Sequence, residues 1–425
     1  MKWMSIVPLV GGMSIGAKNV LGNPPEAILS YPAFQGNDQY LLNYWDYKNY
    51  HLLDPVENKI PESINVNEVG VVNAVCPCAG LSTLNSSSSM GSDAPQNEWM
   101  YKTADLVLEQ IRPEVFLGEN APGLFTNLGE GVVNKLRDIG KKHGYTFSLY
   151  KTDNSFHGIP QKRIRTFYFF WKGDKTPILP WINKERSNIE DYLKEIPADA
   201  TYQDKVEKAE ALQSNFLWRF LTENISSDTK KLREIIFNSA PNRNVISVYK
   251  FLFNKENPME LIYKNKEMID KWCNSLLESG TDEERKDAQY IINKTSHIVK
   301  KIEAGGNFWD SSIRFIKGNV VNAVTSKNKF MDIHPTEDRF LTFREQMHLM
   351  KLPHDFVLNG TKEIDIKNKN VISQNVIVDS SIDVHKWAKL FIEKKLELVH
   401  TDFIKQNNIS QTVEKEEQFI NKKLF

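Results

Sequence analysis

The chain has 425 residues and a mass of 49.0 kDa, enough for two or three domains with separate cores. Hydrophobic residues make up 40% and charged residues 25%, and Lys+Arg and Asp+Glu both number 54, so no global positive field marks a nucleic-acid partner. Three cysteines, Cys76, Cys78 and Cys273, are too few for a disulfide framework, and no second Cys/His cluster completes a metal site.

The first apolar run, Trp3 to Ala17, is broken by Pro8, Gly11 and Gly12 and preceded by one positive charge, which argues against an export signal. No later run reaches the length of a membrane span, so a cytoplasmic protein with no membrane partner is expected. Within that run Ser5–Val10 reads as a strand, and Gly11-Gly12-Met13-Ser14-Ile15-Gly16 as a glycine turn opening a helix. Val69–Val75 is a second strand, which delivers Cys76-Pro77-Cys78 at its C-terminal end.

Met100, Ala104, Val107, Leu108 and Ile111 share a helical face, with Pro113 after the stop. Val115–Leu117 is a strand that delivers Glu119. Val132, Leu136 and Ile139 mark another helix, ended near Gly140 or Gly144. Thr166–Trp171 is an aromatic strand that follows Gln161-Lys162-Arg163-Ile164-Arg165. Strands alternating with helices predict an α/β fold: a Rossmann-like, doubly wound, mostly parallel sheet. Ligands of such sheets bind beyond the carboxyl ends of the strands, where Gly11-Gly12, Cys78 and Glu119 all fall.

Past Trp171 the composition turns to Lys, Asn, Glu and Ser, with helical stripes such as Met268, Ile269, Trp272, Cys273, Leu276 and Leu277. Four segments are expected: 1–174 as a catalytic and cofactor domain, 175–335 as a smaller mixed domain, 336–369 as a connector, and 370–425 returning to the first. Thr342 and Glu345 have the spacing of a capping box. After Ser381 a charged helix with a frayed end is expected. Lys135–Lys142, Lys162–Arg165, Lys300-Lys301 and Lys327–Lys329 are the local basic clusters that could meet phosphate, though such runs are more often solvated faces.

A nucleophile, an acid and a pair of arginines in this order are what an aromatic pyrimidine needs to become reactive at carbon 5. A thiolate adds at carbon 6, while a nearby acid offsets the charge developing on the ring. The order resembles that of the cytosine-C5 DNA methyltransferase family. Gly11, Gly12, Ser14 and Gly16 match its cofactor motif, with Val7 and Leu9 standing where Phe and the first Gly are usual. Pro77-Cys78 with Leu81-Ser82 is similar to the nucleophile motif, Glu119-Asn120-Ala121 to Glu-Asn-Val, and Gln161, Arg163 and Arg165 match Gln-x-Arg-x-Arg in full. Arg339, Leu341, Thr342, Arg344 and Glu345 match the block after the recognition domain, and Asn375-Val376 resembles the last motif.

The resemblance implies a DNA (cytosine-5)-methyltransferase acting on double-stranded DNA as a monomer, with S-adenosylmethionine as donor and the target base flipped out of the duplex. Cys78 would be the nucleophile, Glu119 the acid at ring N3, and Arg165 with Arg163 the hold on the base. Val10, Gly11, Gly12, Ser14, Gly16, Asp38, Asp54, Pro77, Asn375 and Val376 would bind the cofactor, with Asp38 on the ribose and Asp54 on the adenine. A neighbouring aromatic, Trp3 or Phe34, would replace the one lost at Val7. Ser82, Ser87, Gln161, Thr325 and Arg339 would meet DNA, and the serine-rich run 85–92 would be a lid. Two rivals stay open: a relative acting on transfer RNA, and a catalytically inactive DNA-binding subunit, which the altered cofactor motif favours.

Overall fold

The structure is a computed structural model, and it describes residues 1–77, 79–82, 91–197, 212–253, 259–306, 308, 313–325, 332–358 and 371–408. These form two compact units, residues 1–187 with 347–425, and residues 188–346.

The first unit is built on eight strands: β1 Lys2–Ile6, β2 Ile28–Ser30, β3 Tyr50–Leu52, β4 Val69–Ala74, β5 Val115–Asn120, β6 Tyr145–Asp153, β7 Ile164–Lys172 and β8 Phe403–Asn408. They lie in the order β8-β6-β7-β5-β4-β1-β2-β3. All neighbours are parallel except β7, which runs antiparallel to both β5 and β6. The fold is Rossmann-like α/β. Its helices are α1 Gly12–Leu21, α2 Gln35–Trp45, α3 Glu98–Leu106, α4 Glu130–His143 and α5 Val378–Ile392. From β1 the chain steps outward to β2, whereas from β4 it steps the other way to β5. Right-handed crossovers then place a topological switch between β1 and β4, and the crevice beyond their carboxyl ends is where such a sheet holds ligands.

Local sequence explains most of these elements. α4 buries Val132, Val133 and Leu136 and stops at Gly144, a left-handed C-cap at φ 83°. The apolar stripe of α3 continues into a π-turn at Val107–Ile111 and ends at Arg112, just before Pro113. Phe116, Phe147, Phe169, Phe170 and Trp171 fill the sheet's core. β1 is shorter than expected and shifted, because Pro8 cannot continue the ladder. From Ser381 to Asn408 the chain is α5 followed by β8, a parallel edge strand along β6, and not one helix, while the expected frayed end lies outside the described residues.

The first boundary also falls later than position 174. Leu179 and Ile182 are buried in the core of the first unit, and Asn408 Nδ2 donates to the Ile182 carbonyl at 2.8 Å, lacing this segment along β8. In the second unit the helices Met259–Ser279 and Asp282–Glu303 pair around Gly280-Thr281, where Thr281 and Glu284 form a capping box. Ile269 and Cys273 from the predicted stripe join a separate core with Trp218, Leu232 and Phe315, and Met268, Trp272, Leu276 and Leu277 pack on its edge. No helix among the described residues is long and apolar enough to cross a membrane.

Candidate active site

The register Ala74↔Gly118 sets Glu119 one step beyond, beside the segment that leads to Cys76 and Pro77. Cys78 itself lies outside the described residues, as does Ser87. Backbone on both sides of them is described. Ala79–Leu81 forms a 3-10 turn, and Gly91 donates its amide to the Gly80 carbonyl at 2.7 Å, tying together the two ends of the serine-rich run. Ser82 is half-buried at the start of that run. Cys76 is a poor nucleophile: its thiol is buried near the Trp99 carbonyl and Thr103, and burial pushes it up to about 11.

Glu119 is buried at the end of β5. On the antiparallel neighbour it pairs with Phe167, so Arg165 stands diagonally across the ladder on the same face. Arg165 Nε meets Glu119 Oε1 at 2.7 Å. Burial raises the Glu119 carboxyl above the usual carboxylate range, although Arg165 and Arg163 pull the other way. Burial thus favours the protonated form of this carboxyl while a guanidinium keeps it aimed. Asn120 Oδ1 accepts from the Ala121 amide, and Pro122 opens the turn that follows.

Arg163 points elsewhere. Its Nη2 donates to the carbonyls of Ser373 at 2.7 Å and Asn375 at 3.1 Å, so it pins the returning C-terminal segment and does not hold a base. Gln161 is also corrected: it is fully buried and donates to the Leu349 carbonyl at 3.0 Å, out of reach of DNA.

The glycine turn splits into two kinds of position. Gly11 is left-handed at φ 108° and caps α1. Gly12 and Gly16 face protein: a Gly12 Cβ would stand 2.0 Å from the Val376 carbonyl oxygen, and a Gly16 Cβ 2.4 Å from Ser381 Oγ. These two glycines let α1 meet the segment that opens α5. Ser14 is likewise structural, its hydroxyl 2.7 Å from that of Ser5 in the core. Val10 and Val376 are buried, and Pro77 is half-buried at the end of β4.

Asn375 carries more chemistry. Its Oδ1 accepts the Gly12 amide at 2.8 Å, which fixes the amide's orientation, and its buried Nδ2 has no partner among the described residues. That donor suits an anionic group at the start of α1.

The two acidic candidates differ: Asp38 is engaged on both oxygens, whereas Asp54 is engaged on one. Asp38 is fully buried: Leu9 N–H donates to its Oδ1 and the Tyr50 hydroxyl to its Oδ2, both at 3.0 Å. Asp54 is exposed beyond β3, but its Oδ1 accepts the Val56 and Glu57 amides, which lower its carboxyl. Trp3 is buried in β1 with its indole N–H on the Asn23 carbonyl, so it replaces no lost aromatic. Phe34 packs edge-on against Trp99 at 5.1 Å, with Tyr31 on the same ring at 4.8 Å. Tyr50 was not legible as a partner of Asp38, since the two are joined only through β3.

In the second unit, Arg339 pairs bidentately with Glu345 and also binds Glu337, leaving no donor for phosphate. Thr342 and Glu345 form the reciprocal cap that their spacing predicts. Thr325 is half-buried, and its hydroxyl has no partner among the described residues. The cluster Lys135–Lys142 is corrected as a phosphate site: Lys135, Arg137 and Lys142 are paired with Glu98, Asp402 and Asp105. Lys300-Lys301 sit in the last turn of a long helix, where they complement its dipole. Lys327–Lys329 lie outside the described residues. No group of three or more His, Cys, Asp or Glu that could hold a metal occurs among the described residues.

Residues 1–385 match the family model for C-5 cytosine-specific DNA methylases. The Type II methyltransferase M.AgeI of Thalassovita gelatinovora is 29% identical over 150 residues, 33% of this chain and 34% of that protein. M.NgoPII of Neisseria gonorrhoeae, also a Type II methyltransferase, is 24% identical over 179 residues, 41% of this chain and 49% of that protein. The matched regions thus span about a third and about half of these relatives' lengths. Among solved structures, a prophage-encoded DNA modification methyltransferase of E. coli superposes with a TM-score of 0.53 at 18% identity, over 92% of this chain and 99% of that one. The Entamoeba histolytica methyltransferase EhMeth gives 0.52 at 10% identity, over 92% and 98%. At these identities the likeness concerns the fold.

Proposed function

We propose, from the premise that this chain belongs to the C-5 cytosine-specific DNA methylase family, that it is an active DNA (cytosine-5)-methyltransferase. The observation that carries this reading is the buried Glu119–Arg165 pair at the carboxyl end of the sheet, beside the segment leading to Cys78. An inactive subunit would have no use for a desolvated carboxyl kept aimed by a guanidinium.

In this reading the target cytosine leaves the duplex, at an unstacking cost of about a few kcal/mol. The Cys78 thiolate adds to carbon 6. Glu119, protonated in its buried setting, donates to ring N3 and stabilises the enamine as it forms. Arg165 orients Glu119 and stands near the base carbonyl. Once carbon 5 carries its new methyl group, loss of its proton to solvent breaks the carbon 6–sulfur bond, Cys78 leaves as thiolate, and the N3 proton returns to Glu119.

S-adenosylmethionine supplies the methyl group in this family. The chain fits it at one end: Asn375 Nδ2, unpartnered among the described residues, and the start of α1 offer donors to a carboxylate. Asp38 does not fit the ribose role, because both its oxygens are engaged by Leu9 and Tyr50. Residues 188–346, the unit outside the sheet, are the candidate for base readout, with Thr325 among them. The work is proposed for a monomer in the cytoplasm.

Duplex DNA bearing 5-fluorocytosine tests the mechanism, since fluorine cannot leave as a proton does. The chain should form a denaturation-resistant adduct that Cys78→Ala loses. An adduct surviving that substitution would refute the assignment. Bisulfite sequencing of DNA from expressing cells then gives the target, and an unmodified genome alongside methylated transfer RNA would favour the RNA reading.

A further inference from the structure

The loop joining β1 to α1 alternates in handedness. Val7, Leu9 and Gly11 take φ of 50°, 51° and 108°. Only the third is a glycine. A left-handed backbone is unfavourable for a residue with a Cβ, and most of all for β-branched valine. Such conformations persist only where the surroundings hold them.

The surroundings here are one face of α2 and the start of β3. Leu9, at the second left-handed position, donates its amide to Asp38 Oδ1 at 3.0 Å. The other carboxylate oxygen accepts the Tyr50 hydroxyl at 3.0 Å. Leu41, one turn along from Asp38, fills the space beside Gly11, where an added Cβ would meet Leu41 Cδ1 at 2.5 Å. Val7 N–H is held by the Leu29 carbonyl at 2.8 Å, and Gly11 N–H by that of Pro8 at 3.1 Å. Asp38 has no exposed surface, and burial pushes its carboxyl up to about 6. A carboxylate placed out of water in this way is set to act on the backbone beside it.

We propose that Asp38, steadied by Tyr50, is a positioning residue that keeps Leu9 left-handed and so shapes the donor loop, without touching the donor's ribose. This rests on reading that loop as the S-adenosylmethionine site. The role has a signature no ligand contact shares: it is needed because residue 9 carries a side chain. Glycine at that position adopts positive φ unaided, so Leu9→Gly should make Asp38 partly dispensable.

The test is a double-mutant cycle on the full chain with Asp38→Ala, Leu9→Gly and both together, with Tyr50→Phe as the milder probe should Asp38→Ala fail to fold. Two quantities are read: S-adenosylhomocysteine affinity by calorimetry, and hydrogen exchange at the Leu9 amide without ligand. Asp38→Ala should weaken affinity by roughly tenfold and speed exchange at Leu9, and Tyr50→Phe should do the same to a smaller degree. In the Leu9→Gly background the affinity loss on removing Asp38 should shrink to under about threefold. Equal losses in both backgrounds would mean that Asp38 contacts the ligand, and would overturn the proposal. So would unchanged exchange at Leu9 in Asp38→Ala and Tyr50→Phe. If no variant, nor the native chain, binds S-adenosylhomocysteine while the exchange pattern holds, the donor reading falls and the loop-holding role stands.

Discussion

Gly12 donates its backbone amide to the side chain of Asn375, a residue 363 positions away in sequence, across a gap of 2.8 Å. The space where a Gly12 side chain would sit is taken by the Val376 carbonyl. One contact therefore closes the sheet's first crossover onto the returning C-terminal segment and leaves the Asn375 amide nitrogen without a partner among the described residues. Gly12→Ala would place a methyl 2.0 Å from that carbonyl oxygen, and the backbone must move. Urea unfolding should show a loss of about 1–3 kcal/mol, the usual cost of overpacking a filled core. Native stability in this variant would mean that the two segments do not meet there.

The two arginines of Gln161-Lys162-Arg163-Ile164-Arg165 should separate cleanly. Arg163→Ala strips two buried carbonyls, Ser373 and Asn375, of their donor. Its signature should be a lower denaturation midpoint, from a loss of about 1–3 kcal/mol of unfolding free energy for each orphaned group, and earlier proteolytic cutting near residues 371–377. Arg165→Ala, at a partly exposed position facing Glu119, should leave the midpoint nearly unchanged yet cut turnover by about a hundredfold or more. Equal effects of the two on stability and on turnover would show that they share one role.

How far the sequence spoke for itself depended on which partner a residue had. β4, β5 and β7 were legible because their apolar and aromatic runs are bounded by Gly and Pro. β8 was not, since Phe403–Asn408 is a polar edge strand whose pairing with β6 supplies what its propensity lacks. β6 was hidden too, because both its faces are buried and no alternation shows. At the site, the strand-end position of Glu119 was legible from the run Val115–Leu117, and Arg165 was singled out by the resemblance. Gln161, Arg163, Arg339 and Asp38 misled for a common reason. Residue type announces a donor or acceptor but not the direction in which the side chain points. Each of the four points at protein: Leu349, Ser373 and Asn375, Glu345, and Leu9. Four of these five partners lie 29 to 212 residues away.

Glu119 makes the pH dependence of turnover informative. Its donor form is the protonated one, so the rate falls as pH rises through its pKa. Burial has already moved that point upward, while Arg165 is the largest influence holding it down. Arg165→Gln removes the cation, which should carry the alkaline limb of log kcat/KM for a duplex substrate to higher pH, even as the plateau drops. A limb that stays put, or moves down, would take the proton-donor role away from Glu119.

His385 makes a prediction about the fold alone. It sits fully buried on α5, its Nε2 3.2 Å from Asn73 Nδ2 and its Nδ1 2.8 Å from the Ser381 carbonyl. Burial depresses it to about 4, so the folded state keeps it neutral. In the unfolded chain it titrates at the ordinary value of about 6.5. Above that pH neither state binds the proton, and the stability is fully present. As pH falls from 6.5 toward 4, only the unfolded chain is protonated, and stability drains away at about 1.4 kcal/mol per pH unit. Urea midpoints measured from pH 7.5 to 4.5 should therefore fall more steeply in the native chain than in His385→Gln, which cannot charge. The variant will start lower, because the core is disturbed, and the slope is the quantity to compare. Parallel slopes would mean that His385 takes up its proton without leaving the fold, and that other groups set the acid limit.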